Sequence, residues 1–420
     1  MVKYIGKFIG KSWFFKKELR FAGLFMKIGI IGQGASGVIL ALMLKQFDQN
    51  IDITMFDHNE KTNKKLLATG NGRCNLGNLK IYPYTYNSSF ANNLIKGFPI
   101  NKQRDFFASL GLETRTLENL VYPYSLSSNQ VVAYLNKLLK YYKVKFVNGG
   151  NFDDYAVGSQ SVSVSVKNKI YKFDKLVIAT GGMSKSTLGS DGSTFNILKK
   201  HDYEITPLKV GLAPVKVLEN VRNIENERLK CKVSLFINKD KVYEETGEVL
   251  FKKDGLSGIA IFNCSSMIAR SKNSSKIKIV LDVFPDISEN DLYEKFEKYW
   301  GFAGFSFLEG VFPIRMADFI KVNSHSSDSS NFNKEDIRKI VKYCKNMSFT
   351  YKATYPFSES QVTVGGISLN DLNNDLSSKL EKNVYFAGEV IDIDGLCGGY
   401  NLMLAFASSY RVFNSIIKDI

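Results

Sequence analysis

Cysteine and histidine are scarce in this chain, and their scarcity excludes whole classes of protein. Five cysteines (Cys74, Cys231, Cys264, Cys344 and Cys397) are scattered over 420 residues with no C-x-x-C pair, which argues against a disulfide framework or a zinc site. Three histidines (His58, His201 and His325) are too dispersed to build a metal centre, so no metal ligand is assigned. Long apolar runs are missing too. The stretch from Ile28 to Leu44 is interrupted by glycines, and no transmembrane span is expected. No signal-peptide core or small-residue cleavage site opens the chain, and no internal repeat is visible. A reducing, cytoplasmic setting fits these absences.

What is present is an ordinary globular composition, 44% hydrophobic and 23% charged, in a chain long enough for two or three domains. The formal charge of +15 invites a nucleic-acid or anionic-membrane partner. The lysines are spread rather than blocked, and no RNA-binding signature rises above that background. A compositional bias is therefore favoured, and nucleic acid is not expected as a partner. Residues 1–25 stand apart, with Lys3, Lys7, Lys11, Lys16, Lys17 and Arg20 against Glu18 alone. Ile5, Phe8, Ile9 and Trp13 could form one face of a helix making weak membrane-surface contact. The favoured reading is a poorly ordered extension or a start codon assigned too far upstream, because Met26-Lys27-Ile28 reads as a natural beginning for a strand.

From Met26 to Asp57 the pattern is strand, glycine turn, helix, strand, acid. Ile28, Ile30 and Ile31 lead into Gly32-Gln33-Gly34-Ala35-Ser36-Gly37. Gly32 permits the tight turn, Gly34 lets backbone N–H groups approach a pyrophosphate, and Gly37 allows close helix–strand packing. The helix N-terminus adds positive partial charge. Asp57, 20 residues beyond Gly37, is placed to accept hydrogen bonds from an adenosine ribose. An acid there disfavours a 2′-phosphate, so FAD or NAD is preferred over NADP.

Three further segments share this grammar. The first is Gly70-Asn71-Gly72-Arg73-Cys74-Asn75, with a guanidinium fork at Arg73 and an amide at Asn75. The second is the apolar run Leu176 to Ala179, which ends in Thr180-Gly181-Gly182. The third is Asn383 to Phe386, which breaks at Ala387-Gly388 and presents Glu389; Asp392 and Asp394 follow. Gly395-Leu396-Cys397-Gly398-Gly399-Tyr400-Asn401 then opens a helix to about Ile417. Glu389 is placed for a ribityl chain or a bridging water. The helix start at Gly398-Gly399 would stabilise negative charge on a reduced flavin ring. FAD needs both a pyrophosphate anchor and a ring anchor, NAD only the first, so FAD is favoured.

Between these segments the grammar changes. Alternation in Ser161–Val166 and Lys169–Phe173 predicts a hairpin, Pro207 to Phe284 is strand-like, and helices run from Ser288 to Lys345. The nucleotide fold is thus interrupted by an insertion and completed by the C-terminus.

The segments Lys65 to Asn75 (KLLATGNGRCN), Ala179 to Gly182, Gly247 to Gly258, Val362 to Ile367, and Tyr385 to Asn401 (YFAGEVIDIDGLCGGYN) resemble one family. It is that of the bacterial NAD(P)/FAD-dependent oxidoreductases with an inserted barrel-plus-helix domain; some members act on aminoacetone and one branch on dehydro-bile acids. The resemblance covers nearly all the chain from Met26. It implies an α/β fold: a Rossmann-like FAD-binding domain interrupted by a β-barrel and a small helical insert. The expected divisions are 1–25 extension, 26–205 first part of the FAD domain, 206–285 barrel, 286–350 helices and 351–420 completion. It also implies FAD contacts from Gly34, Asp57, Arg73, Cys74, Asn75, Gly388, Glu389 and Asn401. The remaining candidates come from the same motifs: Gly32, Ala35, Ser36, Gly37, Lys65, Gly72, Thr180, Gly181, Gly182, Gly398, Gly399 and Tyr400.

Departures from the family pattern fall at Lys252-Lys253, Asp375 to Lys379, and Met403, so cofactor transfers and substrate does not. Lys252-Lys253 is read as a solvated turn in preference to an anion-binding pair, and Cys74 as a packed thiol. The expected activity is hydride transfer between a small organic substrate and NADH, NADPH or oxygen, with any pyridine nucleotide binding transiently. The alternatives are an RNA-modifying flavoprotein and a non-catalytic flavin-binding module at a membrane surface. No catalytic acid or base is assigned.

Overall fold

The computed structural model describes residues 26–272 and 276–420, so the reading of residues 1–25 falls outside the described residues. The chain divides into two units. One combines the chain up to Lys209 with Val362–Ile420, and the other is Val210–Gln361.

The first unit is built on a five-stranded sheet. Its order is Val384–Phe386, Lys175–Ile178, Lys27–Ile31, Asp52–Asp57, Lys145–Asn148, with every neighbour parallel. The inner parallel strands are covered on both faces, which explains their largely apolar character, whereas the edge strand Lys145–Asn148 has no fully buried residue. Ile28, Ile30, Ile53, Met55, Val177, Ile178 and Phe386 are fully buried. The helix Ala35–Phe47 packs on the C-terminal helix Tyr400–Ile416. This contact is close enough for the Ser409 hydroxyl to donate to the Ser36 carbonyl at 2.9 Å.

A second, antiparallel sheet is formed by Phe152–Val157, Val162–Val166 and Lys169–Phe173. The hairpin expected from alternation is its second and third strands. The first strand escaped the pattern because a bulge between Phe152 and Asp154 breaks its period. Phe173 lies against the main sheet, where a Cβ on Gly29 would come within 2.7 Å of its ring. Edge-on contacts from Tyr171 and Phe173 to Phe56, at 5.1 and 5.8 Å between centroids, complete that interface.

The second unit is a closed antiparallel barrel. Its order is Val215–Val217, Gly255–Ser257, Asp240–Lys252, Arg228–Ile237, Ile277–Asp282, Met347–Thr354. The helices Glu289–Ala303, Ile314–Asn323 and Lys334–Lys345 lie in sequence between its last two strands and share its apolar core. The barrel therefore extends past 206–285, and the boundary read at 350/351 runs through its closing strand. That strand pairs with partners some 70 and 135 residues upstream, a non-local pairing that local periodicity does not reveal. No helix among the described residues is long and apolar enough to cross a membrane.

One polar cluster ties distant parts of the first unit together. His201 Nε2 meets Asp154 at 2.8 Å and Nδ1 meets Glu381 at 2.9 Å, while the Tyr155 ring stacks on the imidazole at 3.9 Å. Tyr155 and Tyr203 both donate to Glu381. Burial opposes a charge on His201, but the hydrogen bonds and charges of Asp154 and Glu381 outweigh it and raise the imidazole's pKa above its ordinary value. A raised folded-state pKa contributes stability that is complete below the unfolded value, about 6.5, and is lost as pH rises through the folded value. Unfolding followed by circular dichroism should therefore show stability falling on the alkaline side of about pH 6.5, and His201→Asn should remove that part of the dependence.

Candidate functional site

Two backbone contacts build the loop after the first strand. Gly32 has φ +106°, and a Cβ there would sit 2.3 Å from the Ala179 carbonyl oxygen at the end of the neighbouring strand. A Cβ on Gly37 would sit 2.1 Å from the Gly32 carbonyl oxygen. Neither position accepts a side chain. Gly34 is different: its φ is −85° and a Cβ would meet nothing within 4 Å. Nothing within the protein demands glycine there, whereas close approach of a dinucleotide does. The helix beginning at Ala35 has no side-chain cap and no acid in its first turn, so its leading N–H groups are open to an anion.

Asp57 closes the far side. Its Oδ2 accepts from the Gln33 N–H at 2.9 Å, and its Oδ1 accepts from the backbone and side chain of Asn59 at 2.8 and 3.0 Å. The carboxylate is held in place while staying half-buried and reachable.

The other anchor forms where the last two strands of the parallel sheet end. Gly388 has φ +81°, and a Cβ on it would lie 2.1 Å from the Ser36 hydroxyl, so the two glycine loops touch. A Cβ on Gly182 would meet Thr363 Oγ1 at 2.3 Å; that oxygen accepts N–H groups from Met183 at 2.7 Å and Ser184 at 3.1 Å. Glu389 is not a free acceptor as its motif suggested. Its Oε1 accepts from the Thr363 N–H at 2.9 Å and its Oε2 pairs with Lys65 at 2.7 Å. Only the remaining lone pairs are left for a ligand.

The C-terminal helix starts behind Gly399 (φ +94°), again without a side-chain cap or an acid in its first turn. A Cβ on Gly399 would come within 2.9 Å of both Asn75 Oδ1 and Gly77, and Gly398 has φ +126°. Loop 70–78 is thus in contact with this helix start. Asn75 Oδ1 accepts the Gly77 N–H, and the Tyr400 hydroxyl donates to the Lys80 carbonyl. Asn401 clamps the preceding loop through Gly395 and Leu396. These three side chains position backbone. Gly72 and Arg73 are exposed, and Gly72 has open space around it. Burial pushes the Cys74 thiol up to about 11 despite a hydrogen bond with Thr69, so it is protonated at neutral pH and unsuited to thiolate chemistry. Of the two later acids, Asp394 is buried and Asp392 half-buried. In the other unit, Lys252 pairs with Glu359 at 2.5 Å and lies 4.3 Å from the centre of the Tyr355 ring, so it is engaged, while Lys253 is exposed in the turn.

Beside Gly32, Asp57 and Thr180 lies a narrow cleft with a volume of about 50 Å³. It also takes in residues that motif reading passed over: His58, Asn151, Phe152, Asp191, Ser193 and Thr194. The signal was present in Gly189-Ser190-Asp191-Gly192, whose glycines adopt φ +114° and +76° ahead of the helix Ser193–Lys200. The Thr180 hydroxyl is buried without a partner next to this cleft. Open space at Gly34, two uncapped helix starts, a fixed carboxylate and an orphaned hydroxyl make a set that FAD fits.

This arrangement defines a Rossmann-type dinucleotide-binding protein. The chain belongs to the HI0933-like Rossmann-domain family, whose profile matches residues 26–414. It is 30% identical over 397 residues to a 3-dehydro-bile acid delta(4,6)-reductase of Clostridium scindens, covering 91% of this chain and 97% of the relative. It is also 24% identical over 404 residues to the ribosomal RNA dihydrouridine synthase of Escherichia coli, covering 92% and 97%. Among solved structures, 3-ketosteroid-delta4-(5alpha)-dehydrogenase from Rhodococcus jostii RHA1 aligns over 94% of this chain and 97% of its own, at 10% identity and a TM-score of 0.45. The family bears out the α/β fold with a barrel insert, and the protein is an FAD-dependent oxidoreductase.

Two substitutions separate cofactor fit from folding. Gly34→Ala adds a Cβ that meets no protein atom within 4 Å, so the melting temperature of the apoprotein should hold while FAD affinity, read by fluorescence quenching, falls at least about tenfold. Gly37→Val forces its side chain onto the Gly32 carbonyl and should destabilise the apoprotein itself by about 2 kcal/mol or more.

Proposed function

We propose that the protein is a reductase that saturates a carbon–carbon double bond conjugated to a carbonyl group, with NADH or NADPH as the reductant. The observation that carries this reading is the 30% identical relative, matched almost end to end, whose name describes such a reduction on a 3-oxo substrate. The uracil ring implied by the dihydrouridine relatives presents the same conjugated unit. Bound FAD would supply the hydride step. The open N–H groups at Gly34 to Gly37 would take its pyrophosphate and Asp57 its ribose. The N-terminus of the helix Tyr400–Ile416 would stabilise negative charge developing beside it. Lys65, Glu389 and Thr363 hold the ring-side loops in register. In balance, one carbon of the double bond gains the hydride, the carbon next to the carbonyl gains a proton from solvent, and NAD(P)H leaves as NAD(P)⁺. Among the described residues the glycine loop of the first strand serves the one parallel sheet, so the pyridine nucleotide would bind transiently.

A second reading, an RNA-modifying flavoprotein, is favoured by the dihydrouridine synthases at 24% and 22% identity together with the +15 charge. One experiment separates the readings. The holoprotein is mixed anaerobically with NADH or NADPH, and the visible flavin absorbance is followed. Rapid bleaching, then reoxidation by a cyclic enone but not by ribosomal RNA, is the expected result. Reoxidation by RNA alone, with binding that weakens steeply as salt rises, would select the second reading. Flavin that neither nucleotide bleaches would overturn the reductase assignment and point to an oxidase that passes electrons from an organic donor to oxygen.

A further inference from the structure

The peptide that joins Gly398 to Gly399 is held from one side by Asn78, a residue outside the nucleotide motifs. Asn78 lies in the short strand Gly77–Asn78, which pairs with Leu120–Pro123, so its backbone is fixed before its side chain acts. Its own N–H donates to Met403 Sδ at 3.1 Å, in the first turn of the helix Tyr400–Ile416. Asn78 is buried, and both ends of its amide are engaged. Oδ1 accepts the Lys80 N–H at 2.9 Å, which leaves the NH₂ end toward Gly398, and Nδ2 donates to the Gly398 carbonyl at 3.2 Å.

In a trans peptide the carbonyl and the N–H point opposite ways. With the Gly398 oxygen drawn toward Asn78, the Gly399 N–H is turned away from it. Asn78 is buried while Gly398 and Gly399 are half-buried, so that N–H faces the accessible side. Among the described residues it has no hydrogen-bond partner. A glycine–glycine peptide resists flipping least, because neither residue carries a Cβ. A flip would exchange the dipole ends and put a carbonyl oxygen where the N–H had been. Asn75 Oδ1 and Gly77, each 2.9 Å from a Cβ built on Gly399, fix where the peptide lies. Only the bond from Asn78 fixes which way it faces, since among the described residues no other group donates to the Gly398 oxygen.

We propose that Asn78 is a positioning residue that holds the Gly399 N–H toward the flavin ring and so favours the reduced, negatively charged cofactor. This rests on placing the ring end of FAD at the start of the helix Tyr400–Ile416. Oxidised flavin lacks that charge, so the effect falls on redox balance more than on affinity. FAD-loaded wild type, Asn78→Ala and Asn78→Ser are reduced stepwise without oxygen beside a dye of known potential. Apoprotein melting and oxidised-FAD affinity are read in parallel. Serine keeps an acceptor for the Lys80 N–H but is too short to donate to Gly398. Both variants should bind oxidised FAD within about twofold of wild type. They should hold reduced FAD about tenfold more weakly, which lowers the midpoint potential by about 30 mV. A midpoint that neither substitution moves, or that serine restores, would overturn the proposal. So would equal losses of oxidised and reduced FAD together with a lower melting temperature, the mark of a purely structural role. Wild-type protein that holds no FAD would overturn the cofactor assignment and this proposal with it, whereas an unmoved midpoint in FAD-loaded variants removes this proposal alone.

Discussion

The nucleotide unit depends on backbone meeting backbone at one point. Gly32 lies against the carbonyl of Ala179, and Gly37 against the carbonyl of Gly32. Because no Cβ intervenes, the end of the first strand, the end of its neighbour and the start of a helix converge in a space that would otherwise hold one side chain. The open N–H groups of that helix are thereby aimed over the sheet's C-terminal edge, where ligands bind in open α/β folds. Gly388 then packs on Ser36 and brings the second glycine loop against the first. The site is a consequence of these contacts, since each loop is placed by the close approach of the one before it.

Around this point the polar side chains serve mainly to hold loops. Glu389 joins Thr363 and Lys65, residues from three separate stretches of chain. The Lys65–Glu389 pair keeps a quarter of its side-chain surface exposed, so its own stabilisation is modest. Its greater effect is to fix where the strand-end loops lie. Asn75, Tyr400 and Asn401 do the same through bonds to backbone. Such fixed parts reduce the reorganisation that a bound cofactor would otherwise require, the condition under which electrostatic stabilisation is most effective. On the opposite side of the fold's economy, His201 is held between two carboxylates and links the antiparallel sheet to the segment preceding the last strand.

The legible parts of the site were those written in contiguous residues. Gly32 to Gly37 and Asp57 declare a βαβ unit because strand, turn, helix and acid follow one another within one short span. The Gly388-Glu389 and Gly398-Gly399 segments were readable for the same reason. What Glu389 bonds to was not, because Lys65 lies 324 residues away. Asp191 and the glycines flanking it carried a local signal, yet nothing in their own stretch says that they face Asp57 across a cleft. The first strand of the antiparallel sheet was hidden by its bulge, and the closing strand of the barrel by its distant partners.

The amino-acid sequence by itself determined the class of cofactor, the parallel sheet and the presence of an insertion. Hydrophobic period, glycine spacing and a terminal acid are local quantities that act over a few residues. The tertiary structure alone decided which glycines are sterically obligatory, which polar groups remain free for a ligand and where the barrel closes. Those depend on what a residue meets across the fold, and excluded volume and hydrogen-bond satisfaction are settled between neighbours in space.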